Sequence, residues 1–239
     1  QSSKELLSQK FSFTHYGNLI IGGTYLNSDE EKNKASGYFI TSYNLAEGSM
    51  GKILYAPFGE SVMNLLPADS RQRTEYTYPL QNLLIAENGD ITLVVDRRYY
   101  ITPVMNHSPT NNPYDGQPSS PVPHSDEKIV IQLDKTFLKK YETVVPGKYE
   151  GALGLPIMLA SYLVDNGVAM FYNTGSFPRN EYRYTVLNSS GALTSNDIVF
   201  GEEYNKVNWI FSSLGQVGPN DVVLQGVFGF KNNYAAFHF

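Results

Sequence analysis

The chain has 239 residues, and its 18 lysines and arginines against 23 aspartates and glutamates give a net charge of −5. A negative chain argues against non-specific nucleic-acid binding, which needs clustered cations to displace counterions from phosphates. The absence of cysteine excludes disulfides, thiolate metal sites and cysteine nucleophiles from this chain. No run of about 18 apolar residues occurs, so we expect no membrane span.

Strand-like segments dominate the chain. Short runs rich in Tyr, Phe, Val, Ile and Thr alternate with Gly, Asn, Asp or Pro, a pattern typical of β-strands and turns. In chain order we predict strands at 18–26, 37–45, 51–58, 90–100, 128–133, 141–145, 168–173, 182–187, 197–200, 221–230 and 234–239. Helical candidates are few: a weak amphipathic stretch at 2–9 and another at 61–66, neither with a convincing cap.

One supersecondary pattern recurs along the chain. Three times a strand ending in Leu meets a polar turn and then a second strand, and a further strand precedes each pair. Such repeated antiparallel units are typical of β-propeller blades. We therefore predict a single all-β domain over 1–239, with four-stranded antiparallel units in a propeller-like arrangement of about five blades, complete or incomplete. A β-sandwich built from the same hairpins is the alternative.

The last segment, 222–239, looks like half of such a unit. We expect residues 11–16 to supply its missing strand, because joining the two termini in one sheet would hide the sheet edges. Residues 102–126 stand apart as a Pro-rich loop, since proline disfavours both helices and central strands. Two interpretations of this loop are open: a plain surface loop, or a lid or partner-binding arm.

Signatures of catalysis and of cofactor binding are absent from the sequence. There is no G-x-S-x-G, no P-loop and no G-x-G-x-x-G, and the histidines lack metal-binding spacing, so we predict no catalytic residue, no metal and no cofactor. The carboxylates Asp90 and Asp96 fall on one face of a strand roughly 20 Å apart. That separation is too large for the acid pair of a glycosidase.

The segment from Asp96 to Tyr100 is the strongest candidate for a binding site. Arginine recognises carboxylates and phosphates through paired hydrogen bonds, and tyrosine offers a flat face for sugars plus a hydroxyl. Strand alternation places Asp96, Arg98 and Tyr100 on one side, with Arg97 and Tyr99 on the other. We predict that Asp96, Arg98 and Tyr100 bind a ligand. The alternative is an edge strand whose arginines pair with neighbouring acids.

A family resemblance rests on turns and hairpins from Asn82 onward. The turn Asn88-Gly89-Asp90, the strand at 94–100 and the hairpin at 129–141 resemble those of secreted β-propeller-like proteins of Bacteroidetes. The resemblance implies a fold and an exported location but carries over no catalytic residue. With Gln1 taken as the residue after a removed signal peptide, we expect a secreted, periplasmic or cell-surface protein.

The leading functional hypothesis is an exported, non-catalytic binding or interaction module. It would take a glycan, a peptide or a cell-surface protein at a loop rim, and it would not bind nucleic acid. The alternative is a carbohydrate-active enzyme, glycosidase-like, with a dispersed carboxylate pair. A purely structural component of a cell-surface assembly is the third possibility.

Overall fold

Antiparallel strands make up nearly all of the regular structure. The computed structural model describes residues 3–28, 35–65, 76–101, 122–146, 149–150, 159–165, 167–173, 182–198, 208–228 and 231–239. The described strands are β1 (Lys4–Phe13), β2 (Asn18–Asn27), β3 (Gly37–Asn44), β4 (Ser49–Met50), β5 (Leu54–Pro57), β6 (Leu80–Ile85), β7 (Ile91–Ile101), β8 (Val122–Leu133), β9 (Lys139–Val145), β10 (Tyr149–Glu150), β11 (Leu159–Val164), β12 (Gly167–Asn173), β13 (Tyr182–Asn188), β14 (Leu193–Ile198), β15 (Asn208–Gln216), β16 (Asp221–Phe228) and β17 (Lys231–His238). A short helix, α1 (Glu60–Leu65), follows β5, and the predicted all-β class is confirmed.

Within the described residues the strands form four antiparallel sheets that follow one another along the chain. Sheet A has the order β1-β2-β3-β4, with β5 also on β3; sheet B has the order β10-β8-β7-β6, with β9 on β8. Sheet C is β11-β12-β13-β14, and sheet D is β15-β16-β17. Neighbouring strands in each sheet are mostly neighbours in sequence, so the predicted units of antiparallel hairpins are present.

The sheets are stacked face to face in the order A, B, C, D. Alternate residues of β7 point to opposite sides. Leu93 belongs to the buried cluster that contains Ile40 of sheet A, whereas Val94 belongs to the one that contains Met170 of sheet C. A third apolar layer, around Phe171, joins sheet C to sheet D. Sheets B and C are therefore buried on both faces.

The first strands of the four sheets are neighbours. Strand β1 lies against β6, β6 against β11, and β11 against β15. Two expectations for the N-terminal segment are wrong. The helical stretch predicted at 2–9 falls on the strand β1. Of the segment 11–16, which the sequence predicts to pair with the last sheet, residues 11–13 pair with β2 in sheet A and residues 14–16 belong to a turn. The described part of sheet D ends with β17 paired to β16.

The predicted Pro-rich loop is shorter at its C-terminal end than expected. Strand β8 begins at Val122, so residues 122–126 belong to a strand, and Pro123 pairs with Tyr100. Proline is tolerated there because it lies next to the first residue of the strand. The rest of the predicted loop, 102–121, lies outside the described residues.

Four of the described hairpins share one five-residue turn. In each, the first residue donates its N–H to the carbonyl of the fifth, and the fourth donates to the carbonyl of the first. The fourth residue has positive φ, the geometry of a three-residue hairpin loop that usually carries glycine. The turns are 14–18, 86–90, 134–138 and 188–192, with Gly17, Gly89, Phe137 and Gly191 at the fourth position.

The first residue of three of these turns also accepts hydrogen bonds through its side chain. In the turn 14–18 the Thr14 hydroxyl accepts from Asn18 N at 3.1 Å. Oδ1 of Asp134 accepts from the Thr136 hydroxyl at 2.6 Å, from Thr136 N at 2.7 Å and from Leu138 N at 3.0 Å. The hydroxyl bond from Thr136, supported by the backbone bonds, lowers the pKa of Asp134 below its ordinary 3.8. Asn188 occupies the same place in its own turn and accepts an equivalent set of bonds.

We expect Asp134→Asn to keep the turn but to remove a pH-dependent part of the stability. A folded pKa that is lowered adds stability that is complete above the unfolded pKa and is lost as the pH falls through the folded value. The melting temperature of the unaltered protein should therefore fall more than that of the variant between about pH 6 and about pH 3. Equal falls, followed by circular dichroism, would contradict this role for Asp134.

We expect Leu93→Ala to lower the free energy of unfolding by about 3 kcal/mol, because it opens a cavity between sheets A and B. Leu138→Ala is the matched control, since Leu138 is 68% exposed, and should change stability by less than about 0.5 kcal/mol. Urea unfolding measures both. Similar costs for the two variants would contradict the two-sided burial of β7.

Candidate functional site

The predicted site residues lie near the C-terminal end of β7, where its pairing with β8 is irregular. Asp96 is opposite Lys128, but Arg98 is opposite Ser125. Three positions of β7 are thus matched by four of β8, so β8 contains a bulge. The bulge brings both Lys128 and Ser125 to Asp96.

Asp96 is fully buried and bonded through both carboxylate oxygens. Oδ2 accepts from Nε of Arg98 at 2.5 Å, and Oδ1 lies 3.3 Å from Nζ of Lys128 and accepts from the Ser125 hydroxyl. The Lys128 ammonium also donates to Oγ of Ser125 at 2.5 Å. Burial of these charges is tolerated because each has a bonded partner. Two cations thus bind the same carboxylate.

Arg98 links this buried cluster to the protein surface. Its backbone is held by Thr77, which donates N–H to the Arg98 carbonyl at 2.7 Å and accepts from Arg98 N at 2.9 Å. The Arg98 side chain is 19% exposed. Of the three guanidinium nitrogens of Arg98, Nε has a hydrogen-bond partner among the described residues, and the two amino groups have none there. Its two amino groups are therefore available to a ligand.

A cavity of about 490 Å³, which we call the Arg98 cavity, opens beside this side chain between sheets A and B. It lies where β1 begins and β7 ends. The residues that line it include Glu5, Leu7, Leu26, Tyr76, Arg98 and Tyr100. Its size is typical of small-molecule sites, and its wall combines apolar and aromatic groups with few charges. Tyr100 is 50% exposed and presents part of its ring.

The structure brings two of the three predicted residues to this cavity. Arg98 and Tyr100 line it, as strand alternation predicts, but Asp96 lies behind Arg98 and has no exposed surface. Asp96 is a positioning residue for the Arg98 guanidinium rather than a direct ligand contact. The binding role assigned to these three residues stays a prediction.

On the opposite side of β7, Arg97 is enclosed by an acid and an aromatic ring. Its Nη1 lies 2.9 Å from Oε2 of Glu127, and its guanidinium carbon lies 3.8 Å from the ring centre of Tyr76. Burial lowers the pKa of Arg97, but the hydrogen bond that Arg97 donates to Glu127 and the nearby tyrosines outweigh it, so the net shift is upward. The alternative prediction is an edge strand whose arginines pair with neighbouring acids. Both arginines do pair with an acid, but β7 lies between β6 and β8 and is not an edge strand.

Several residues that build the site were missed by the sequence analysis. Tyr76 meets Tyr99 edge-on at 5.3 Å, and Tyr99 stacks on His124 at 4.9 Å. Lys128 and Ser125 lie opposite Asp96 and Arg98 across the hairpin. Strand pairing alone could have placed Lys128 near Asp96, but no sequence signal marks the bulge that adds Ser125.

The described part of the chain can be examined for a metal site and for a membrane-spanning helix. No group of three or more His, Asp or Glu side chains there is arranged to hold a metal ion. No helix among those residues has the length and apolar character needed to cross a membrane. The histidine of the predicted Pro-rich loop, His107, lies outside the described residues.

Comparison with known proteins gives no match: no protein-family model fits the chain, and no curated protein matches its sequence. The resemblance to secreted propeller-like proteins therefore stays a prediction.

We expect Asp96→Asn to cost about 3 kcal/mol of stability or more, because it leaves Arg98 and Lys128 buried without their shared anion. Lys128→Met removes one of the two cations bound to Asp96 and keeps the Asp96–Arg98 pair, so its cost should be smaller, about 1 kcal/mol. Urea unfolding of both variants and of the double variant measures this difference. A larger cost for Lys128→Met than for Asp96→Asn would overturn the account of the cluster.

Proposed function

We propose that the protein is a non-catalytic binding module whose ligand occupies the Arg98 cavity. The observation that carries the proposal is the Arg98 guanidinium, held at Nε by the buried Asp96 and open at its amino groups, beside the half-exposed ring of Tyr100. A guanidinium binds carboxylate or sulfate groups through paired hydrogen bonds, and a tyrosine ring packs on the apolar face of a sugar. This pairing favours a glycan that carries an acidic group.

Two further properties support an acidic ligand. The ion pair with Asp96 limits the rotation of Arg98 before a ligand arrives, which reduces the entropy lost on binding. Lys128 adds a second buried cation within 3.3 Å of the same carboxylate. Because Asp96 is shared between two cations, it neutralises the Arg98 guanidinium only in part, which favours an anion as the ligand.

The arrangement favours binding over glycoside hydrolysis. A glycosidase needs two carboxyl groups about 5–5.5 Å or about 6.5–9.5 Å apart on either side of its substrate. Of the residues that line the Arg98 cavity, Glu5 supplies the single carboxylate. Ser125 and Lys128 have the close contact of a serine–lysine dyad, but Ser125 has no exposed surface and the Lys128 ammonium faces Asp96.

The finer fold that we propose is a propeller-like ring of blades, complete or incomplete. Its support is the face-to-face order of the four described sheets and the neighbouring positions of their first strands. In this arrangement the Arg98 cavity lies between two blades at one rim. Export to the periplasm, the cell surface or the medium completes the proposal and rests on the sequence alone.

We expect sialyllactose and trigalacturonate to raise the melting temperature, and the neutral sugars lactose and maltotriose to raise it less. A ligand at roughly 100 times its dissociation constant adds about 2.7 kcal/mol, which corresponds to about 5–10 °C for a chain of this size. Arg98→Ala should abolish the response to acidic sugars because it removes the guanidinium, and Tyr100→Ala should weaken it.

Tyr234→Ala and Lys10→Ala are the matched controls. Tyr234 is 65% exposed on β17, and Lys10 is exposed on β1 outside the cavity lining. Both variants should respond like the unaltered protein. A response to acidic sugars that persists in Arg98→Ala would keep the binding function but remove it from this site, and no response to any acidic sugar would count against an acidic glycan as the ligand.

A further inference from the structure

We propose a second ligand site, for a neutral sugar ring, at the opposite end of the interface between sheets A and B. A cavity of about 500 Å³ lies where three of the five-residue turns, 14–18, 86–90 and 134–138, come together. We call it the turn cavity. It adjoins the start of β7, whereas the Arg98 cavity adjoins the end of that strand. The proposal does not depend on the function assigned to Arg98.

The floor of the turn cavity is apolar. Ile20 of β2 and Ile91 of β7 are buried members of the cluster between sheets A and B, and both line the cavity. Ile85 and Phe137 pack against the same cluster and complete the floor. An apolar base of this kind accepts the flat, C–H-bearing face of a ligand.

Phe137 occupies a backbone position that disfavours any residue with a side chain. Its φ is 68°, and no other non-glycine residue in the described part of the chain has a positive φ. The three equivalent turns place Gly17, Gly89 and Gly191 there, because a Cβ atom is crowded in the left-handed region. Backbone strain of this kind is concentrated at ligand sites. Here the strained position puts an aromatic ring on the cavity floor.

Above the floor, polar groups stand without a protein partner. The Asn18 amide and the Ser42 hydroxyl are half-buried, line the cavity and have no side-chain hydrogen bond to the described part of the chain. Each can both donate and accept, as can a sugar hydroxyl. Tyr16, which is 86% exposed, and His15 extend from the turn at the mouth. An amide and a hydroxyl over an apolar floor match a ring with one apolar face and hydroxyl edges.

The exposure of the charged side chains separates this site from the Arg98 cavity, where the Arg98 guanidinium is 19% exposed and bonded to the buried Asp96. Among the described residues that line it, the turn cavity has one carboxylate, Glu87, and one ammonium, Lys135, both on exposed turn residues. Neither charge is fixed by a buried partner within the described residues, so the lining offers no oriented ion that would select an anion or a cation. An uncharged ring with hydroxyl groups is therefore the ligand class that its lining fits.

Saturation-transfer NMR with the methyl glycosides of glucose, galactose, mannose and N-acetylglucosamine tests the proposal. We expect transfer from the protein to the ring protons of at least one of these sugars. Phe137→Gly should weaken the transfer roughly tenfold, because glycine suits the backbone of that position but removes the aromatic floor. Tyr16→Ala and Asn18→Ala change exposed or half-buried side chains, so they keep the test valid if Phe137→Gly lowers the melting temperature.

Tyr234→Ala, an exposed tyrosine outside the cavity lining, is the matched control and should leave the transfer unchanged. Arg98→Ala should also leave it unchanged, so failure of the acidic-glycan site and failure of this one are distinguishable. The proposal is overturned if none of the sugars receives saturation. It is equally overturned if transfer is the same in the unaltered protein and in the Phe137, Tyr16 and Asn18 variants.

Discussion

Burial of both faces of β7 is the constraint on which the rest of the structure depends. Because Leu93 and Val94 belong to different apolar layers, a single strand fixes the positions of sheets A and C relative to sheet B. Buried two-sided strands tolerate few polar residues, and those present must be bonded. Apart from Thr92, the polar residues of β7 lie towards its end, where a cavity opens.

The ion cluster around Asp96 lies where β7 passes from the buried stack of sheets to the cavity. Asp96 is still inside the stack, so its carboxylate needs partners, and the bulge in β8 supplies Ser125 and Lys128. Two residues further along the strand, Arg98 lies at the boundary and shares its charge between Asp96 and the cavity. The hydrogen bond from Arg98 Nε stabilises the buried Asp96 carboxylate and also orients the Arg98 guanidinium. A stabilising interaction and a binding geometry are thus produced by one contact.

The sequence predicts the later strands of each sheet well and the first ones poorly. Strands β2, β3, β7 and β12 carry Ile, Val, Tyr and Phe between Gly and Asn turns, which are strong local signals. Strands β1, β6 and β11 are rich in Leu, Lys, Gln or Ala, residues that favour helices. These strands are extended because each pairs with the next strand of its sheet, β1 with β2, β6 with β7 and β11 with β12, and such tertiary context overrides local preference. Alternation also places Arg98 and Tyr100 correctly, but the depth of Asp96 depends on the stacking of whole sheets, which no local pattern contains.

Two cavities lie at opposite ends of β7, and they differ in how far their charged groups are buried. At the end of β7 the charged residues are buried or partly buried. The Arg98 cavity is therefore lined by a cation that Asp96 orients, and Lys128 binds the same carboxylate. The start of β7 follows a tight turn, so the charged side chains there lie on exposed turn residues. The floor of the turn cavity is apolar. The difference follows from where a buried strand places its polar residues. Of the two ligand sites that we propose, one therefore depends on the oriented guanidinium of Arg98 and the other on the ring of Phe137.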